Sequence, residues 1–248
     1  MEVAGNVHLK FLQKEAPLSD EWELAYYFKP MWGVSGDFYD FYEIENNLHG
    51  LGIFDVSGHG IASGLVGIIA KAVIYRSFRD GLEKAPLKNV LDDTNKNLIN
   101  EIGDTNIYLT GIILRFEGYN VEYVNAAHKQ LLHKKQNNKE VKIVTDNGTP
   151  INGYFLGIDL FEHPYNQATF TVEKGDELLL YTDCLSESHA NNDPHFEEFG
   201  DERIIELFKN APEGSPQDTL NYILKSFYEY VKTDELTDDL TIIIAKKK

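Results

Sequence analysis

The stretch "DFYDFYEIENNLHGLGIFDVSGHGIASG" (Asp37–Gly64) decides the architecture, because its hydrophobic period changes part-way along. Asp37–Ile44 and Leu48–Asp55 are short apolar and aromatic runs on either side of "ENN", a composition that turns one strand back on another. From Ile61 the spacing becomes helical, with Leu65, Ile68, Ile69, Ala72 and Val73 as its apolar positions. Gly64 and Gly67 weaken that helix intrinsically but allow close approach, so it is expected to lie tightly on a neighbour.

The same reading extends outward. "WELAYYF" (Trp22–Phe28) is an aromatic-rich strand ended by Pro30. A second helix follows Pro86, with Leu87, Val90, Leu91, Leu98 and Ile102 on one face. Strand-like runs return at Ile107–Phe116, Val121–Asn125, Lys142–Thr145, Ala168–Val172 and Glu177–Thr182. Ser215-Pro216 opens a third helix as an N-cap followed by proline, and Leu220, Ile223, Leu224, Phe227 and Val231 line its apolar face. "LTIIIA" (Leu240–Ala245) closes the chain as a strand. The strands are too numerous and too often hairpin-linked for a doubly wound parallel sheet. An α+β layered sandwich of antiparallel sheets covered by helices is expected, in one domain.

Composition narrows the function. Lys and Arg total 23 against 40 Asp and Glu, a formal net charge of -17, which argues against nucleic acid or an anionic membrane surface as partner. The N-terminus has no apolar leader and the chain has no continuous apolar run of transmembrane length, so direct membrane insertion is not expected. One cysteine permits no intrachain disulfide, no Cys/His spacing suits a structural zinc, and a reducing cytoplasm is the natural compartment.

The acids are placed more tellingly than their number suggests. Asp55 ends "LGIF", Asp183 ends "LLLYT", Asp238 and Asp239 precede "LTIII", and Asp37 enters its strand from "GVSG". Each alone is an ordinary turn residue. Gathered at one edge they would repel one another unless a cation lay among them, and oxygen-only ligands suit Mg²⁺ or Mn²⁺. In "DVSGHGIASG", Gly58 and Gly60 lead into a helix N-terminus that offers free amides to an anion beside Asp55; on its own such a turn is a plain connection. The lone Cys184 in "DELLLYTDCLSES" fails as a phosphatase nucleophile. The place where such enzymes carry arginine is Ala190, and no Lys or Arg lies between Lys174 and Arg203 to lower the thiol pKa.

Taken in order, "VSGDFYDFY", "FDVSGHGIAS", "YLTGIIL", "VNAAH", "LLLYTD", "FGDERI" and "TDDLTIII" resemble the bacterial stage II sporulation protein E-like serine phosphatases, a branch of the metal-dependent protein phosphatase 2C (PPM) class. The likeness runs from about Leu24 to Ala245. It implies a four-layer αββα sandwich, two antiparallel β-sheets flanked by helices, spanning 21–248 after an N-terminal connector or helix remnant at 1–20. It also implies hydrolysis of phosphoserine or phosphothreonine on a regulatory protein, an anti-sigma factor antagonist, by water activated between two Mn²⁺ or Mg²⁺ ions.

By that resemblance Asp55 bridges the ions, the Val56 carbonyl binds one, and Asp183 is a further ligand. Asp37 holds a metal directly or through water. The "DDLT" ending makes Asp238 the last ligand, with Asp239 the adjacent alternative. Asp40 is structural, His59 is a candidate acid for the leaving oxygen, and His128 shapes a turn. Asn6–Leu18 is a connector, a dimerising helix or a frayed N-terminus.

Two departures stand out: Cys184 where relatives keep glycine after the aspartate, and Lys129 after "NAAH" in place of "NAGHP". The first would weaken the site if that position needs positive φ. It leaves open an alternative, a weak or inactive phosphatase fold acting as a partner-binding regulator. A plain cation-binding module is disfavoured, since no "DxDxDG" loop is present.

Overall fold

The computed structural model describes residues 5, 8, 10, 11, 15–82, 84–159 and 165–248. Strand β1 (Trp22–Lys29) leads into the hairpin of β2 (Phe38–Ile44) and β3 (Asn47–Val56), and helix α1 (Ile61–Gly81) follows. Glu45 and Asn46 turn the hairpin with φ of 51° and 63°, the mirror-image turn whose twist matches paired strands. Helix α2 (Leu87–Ile102), β4 (Leu109–Glu117) and β5 (Asn120–Ala126) come next, then the short β6 (Leu132–Lys134), β7 (Val141–Ile143), β8 (Thr145–Asp146) and β9 (Thr149–Pro150). β10 (Gln167–Thr171) and β11 (Glu177–Tyr181) precede a one-turn helix α3 (Asp183–Glu187), α4 (Asp201–Asn210), α5 (Pro216–Val231) and β12 (Leu240–Lys247).

Two five-stranded sheets result, ordered β1-β12-β11-β6-β7 and β10-β5-β4-β3-β2, with every pairing antiparallel. Helices α1 and α2 cover the second sheet, and α4 and α5 the first, so the expected αββα sandwich is realised. Side-chain alternation along the strands builds three apolar layers. On β3, Phe54 and Val56 face the α1–α2 layer while Leu51 and Ile53 face the gap between the sheets. On β12, Ile242 and Ile244 face α5 while Ile243 and Ala245 face the gap. Each fully buried aliphatic or aromatic side chain contributes about 1.5–3 kcal/mol. The same period of two, continued to the strand ends, turns Asp37, Asp55, Thr182, Asp239 and Thr241 toward the gap at one rim of the sandwich.

Helix α1 exists where its spacing requires, but its buried face is not the one its largest residues suggest. Ser63, Gly64, Val66, Gly67, Ala70, Val73, Ile74 and Phe78 are buried, whereas Leu65 and Ile69 are 58% and 42% exposed. Small residues face the sheet because the helix lies close to it: a Cβ at Gly67 would touch Phe38 of β2 and Val56 of β3 at 3.5 Å and 3.6 Å, and one at Gly64 would collide with Val34 in the loop before β2. The tight packing expected of this helix is therefore present, through another stripe. Among the described residues α1 is also the one helix long and apolar enough to cross a bilayer, and Ala70, Ile74 and Phe78 place it in the core instead.

The apolar faces of α2 and α5 are buried as their spacing requires. Helix α5 opens on a capping box, in which Ser215 and Asp218 satisfy each other's backbone amides. Residues 1–4, 6, 7, 9 and 12–14 lie outside the described residues, and half of the segment on which the connector and dimerisation readings of 1–20 rest falls there. Of the described part, His8 Nε2 lies 3.1 Å from the Gly64 carbonyl oxygen.

Candidate active site

Four chain segments bring their acids to the rim. Asp55 stands near the end of β3, Asp37 just before β2, Asp183 at the first position of α3, and Asp238 and Asp239 just before β12. Strand β11 stops at Tyr181, so Asp183 opens a helix and does not end a strand as its sequence suggested. Opening that helix puts Glu187, four residues on, in the same cluster.

The electrostatics show how crowded the acids are. Burial, and then Asp183, Asp238, Asp239 and Glu187, push the Asp55 carboxyl up to about 8. Burial with Glu187 and Asp238 raises Asp183 to about 6, and Lys129 partly offsets this. Asp238 is raised by burial and, less, by the Asp239 charge, while the hydrogen bond from the Asp239 amide and the neighbouring His59 act the other way. Asp37 is raised well above the ordinary carboxylate range by burial, Asp55 and Asp239.

Asp37 and Asp239 are both buried and already engaged. Thr182 and Thr241 donate hydroxyl hydrogen bonds of 2.8 Å and 2.6 Å to Asp37 Oδ2. Asp239 accepts from the backbone amide of Met31 through Oδ1 and of Gly36 through Oδ2, both at 2.7 Å, and so pins the loop before β2. Asp238 is exposed, with Oδ1 accepting the Asp239 amide at 2.8 Å. The two adjacent aspartates thus play different parts, since Asp239 holds backbone and Asp238 faces the acids. The Val56 carbonyl sits in the same corner, where a Cβ on Gly36 would lie 3.0 Å from it.

Gly58 and Gly60 have φ of 86° and 84°, conformations that glycine alone adopts without strain, and they carry the chain from β3 into α1. His59 between them is exposed, its ring 5.8 Å from that of Trp32. Asp40 accepts the Phe41 amide and lies 3.7 Å from Lys71 of α1, a structural position as expected. His128 also fixes a turn: its amide donates to Asn125 Oδ1 and its Nδ1 lies 2.7 Å from Thr110 Oγ1.

Cys184 is the second residue of α3, with helical backbone and no positive φ, so a side chain there costs nothing. Its thiol is buried against the Asp238 carbonyl at 3.4 Å, and burial pushes its pKa up to about 12. The residue is no nucleophile.

Two members of the rim were not singled out from sequence as site residues. Glu187 was hidden because "DCLSES" reads as a strand tail, not as a helix that would align it with Asp183. Lys129 is remote in sequence, yet its Nζ lies 2.9 Å from Glu187 Oε1. Among the described residues no three acidic, histidine or cysteine side chains form a ready ligand cage. The donor set nonetheless fits a hard cation: carboxylates and a carbonyl, crowded enough to hold protons near neutral pH.

The family model for Stage II sporulation protein E (SpoIIE) matches residues 46–248, which include Asp55, Asp183 and Asp238. The chain belongs to the SpoIIE family. Asp37 lies before the matched span. The phosphoserine phosphatase RsbP of Bacillus subtilis (strain 168) is 24% identical over 250 residues, covering 100% of this chain and 58% of that protein, so the chain spans under two thirds of that relative. The SiaA-PP2C domain of Pseudomonas aeruginosa superposes with a TM-score of 0.74 at 18% identity, covering 90% of this chain and 85% of that one. The catalytic domain of the serine threonine protein phosphatase PstP, in complex with two manganese ions, superposes with a TM-score of 0.62 at 14% identity, covering 92% of this chain and 98% of that one. The SpoIIE-family chain thus has the PP2C-type fold.

Proposed function

We propose that this SpoIIE-family chain is a Mn²⁺- or Mg²⁺-dependent phosphatase that removes phosphate from phosphoserine or phosphothreonine on a regulatory protein. The observation that carries the proposal is the rim cluster around Asp55, a set of oxygen donors whose mutual repulsion a divalent cation would relieve. Asp55, the Val56 carbonyl, Asp183 and Asp238 are the proposed ligands of two ions. Asp37, held by Thr182 and Thr241, is proposed to act on a metal directly or through water.

Ions bound there supply Lewis acidity, lowering the pKa of water and neutralising charge on the phosphoryl oxygens. The chain's own residues hold the frame: Asp239 fixes the loop that carries Asp37, and Gly58 and Gly60 let His59 stand beside Asp238. His59 is the proposed proton donor to the leaving serine oxygen. By the resemblance, the substrate is proposed to be an anti-sigma factor antagonist met in the cytoplasm, and the name of the relative RsbP, a phosphoserine phosphatase, supports phosphoserine as the group it carries. The residues 21–248 are proposed to form the phosphatase unit, with 1–20 as connector and as the contact of a homodimer.

The experiment is turnover of a phosphoserine protein by the purified chain with Mn²⁺. Loss of turnover in Asp183→Asn with partner binding intact supports it. Binding without turnover in the wild type would leave the partner-binding regulator in its place.

A further inference from the structure

The carboxylate rim poses a problem for a phosphatase, because its substrate is an anion. Asp37, Asp55, Asp183, Glu187, Asp238 and Asp239 surround the place where a phosphomonoester must arrive, and two divalent cations do not outweigh that many acids. A third source of positive charge is needed, outside the ligands themselves.

Lys129 has the position and the support. It follows a turn that Asn125 staples from inside: Asn125 Nδ2 donates to the His128 and Lys129 carbonyls at 3.1 Å and 3.3 Å, while Asn125 Oδ1 accepts the His128 amide at 2.7 Å. Ala127 takes the left-handed φ of 54° that this turn requires. The turn is thereby pinned, and the Lys129 side chain, 23% exposed, reaches from it to Glu187 at 2.9 Å. Glu187 is the last residue of the one-turn helix that Asp183 opens, and the Lys129 charge is near enough to hold the Asp183 carboxyl down against the raising effect of burial. Asp201, which accepts the Tyr181 hydroxyl at 2.9 Å, is the third acid near the ammonium. The pair with Glu187 is partly exposed and single-pronged, the kind of ion pair worth little in itself. Lys129 is thus held beside the reacting centre by a partner it can leave.

Resting on the phosphatase reading above, we propose that Lys129 is a phosphate-binding residue: its ammonium is stored on Glu187 in the free protein and transfers to a phosphoryl oxygen of the bound phosphomonoester. A charge-assisted hydrogen bond to phosphate is strong, and the ammonium retains two further donors for Glu187.

The test compares wild type, Lys129→Met and Lys129→Arg with p-nitrophenyl phosphate as substrate, inorganic phosphate as competitor, and Mn²⁺ binding by calorimetry. Lys129→Met should raise KM and the phosphate inhibition constant about 10- to 100-fold, with kcat changed far less and Mn²⁺ affinity unaltered. Lys129→Arg should restore most of the loss. An unchanged phosphate constant in Lys129→Met overturns the proposal, as does a loss of Mn²⁺ affinity that accounts for the defect. Phosphate binding by calorimetry separates the two claims. Lys129-dependent binding without turnover would sink the phosphatase reading and keep this one, and wild type that binds no phosphate in Mn²⁺ would sink both.

Discussion

At the residue scale, neighbours in sequence have been given opposite roles. Asp238 meets the acid cluster while Asp239 is spent on backbone amides, and Asp183 opens a helix that Cys184 merely packs. Asp183→Asn should therefore lower kcat about 100-fold or more in a steady-state assay, and Cys184→Ser should stay within a few-fold of wild type. A Cys184→Ser variant as inactive as Asp183→Asn would contradict the division. His59 makes a leaving-group prediction. His59→Gln should slow release of a serine alkoxide but leave p-nitrophenolate, which needs no proton, nearly unaffected. Equal losses on both substrates would assign His59 to the loop and not to proton transfer.

Asp55 couples the site to stability. Its folded pKa, about 8, lies above the unfolded value near 3.8, so the metal-free protein binds the extra proton between those limits. The penalty is therefore absent at low pH, grows as pH rises, and is complete above the folded pKa. Asp55→Asn should make the metal-free protein more stable at pH 7, by roughly 2–4 kcal/mol, as read by chemical denaturation without added metal. A less stable variant would show that Asp55 is not the strained member of the cluster.

At the scale of elements, the hairpin β2–β3, helices α2 and α5, and the closing strand were legible because each obeys one period and carries its own punctuation. Helix α1 was legible as a helix but not in its orientation. Leu65 and Ile69 suggest a buried face, and the real one is the small-residue stripe that lets the backbone approach the sheet. Helix α3 was hidden because five residues cannot display a helical period, and with it Glu187 was lost from the expected site. Lys129 could not be found locally at all, since its approach to Glu187 depends on how the turn after β5 meets the end of β11. The helix caps allow a direct check. Ser215→Ala removes the hydroxyl that accepts the Asp218 amide at the start of α5, while leaving the backbone half of the capping box, and should cost about 1 kcal/mol, a fall of roughly 2–4 °C in Tm. No change would mean that the box is not formed in solution.

At the scale of the whole molecule, two antiparallel sheets serve as a scaffold whose inter-sheet face is apolar through its length and acidic at one rim. The proposed cation would relieve the rim, and acid sensitivity of the scaffold is expected from a separate source. His128 is buried and neutral, its pKa lowered from 6.5 to about 4, so its contribution is complete above the unfolded pKa and is lost as pH falls through that window. Metal-free stability thus responds to Asp55 and His128 with opposite signs, and a His128→Asn chain should lose less stability between pH 7 and pH 5 than wild type does. Metal ions must displace protons from Asp55 and Asp183, so Mn²⁺ affinity should rise from pH 6 to pH 8 with proton release. The central claim is that the rim cluster works only through bound divalent cations. Its most direct test is hydrolysis of a phosphoserine protein by the purified chain, measured in Mn²⁺, after chelation, and after Mn²⁺ is restored. The account predicts turnover, silence and recovery in that order, with Asp183→Asn silent throughout; turnover that persists in chelator would contradict it.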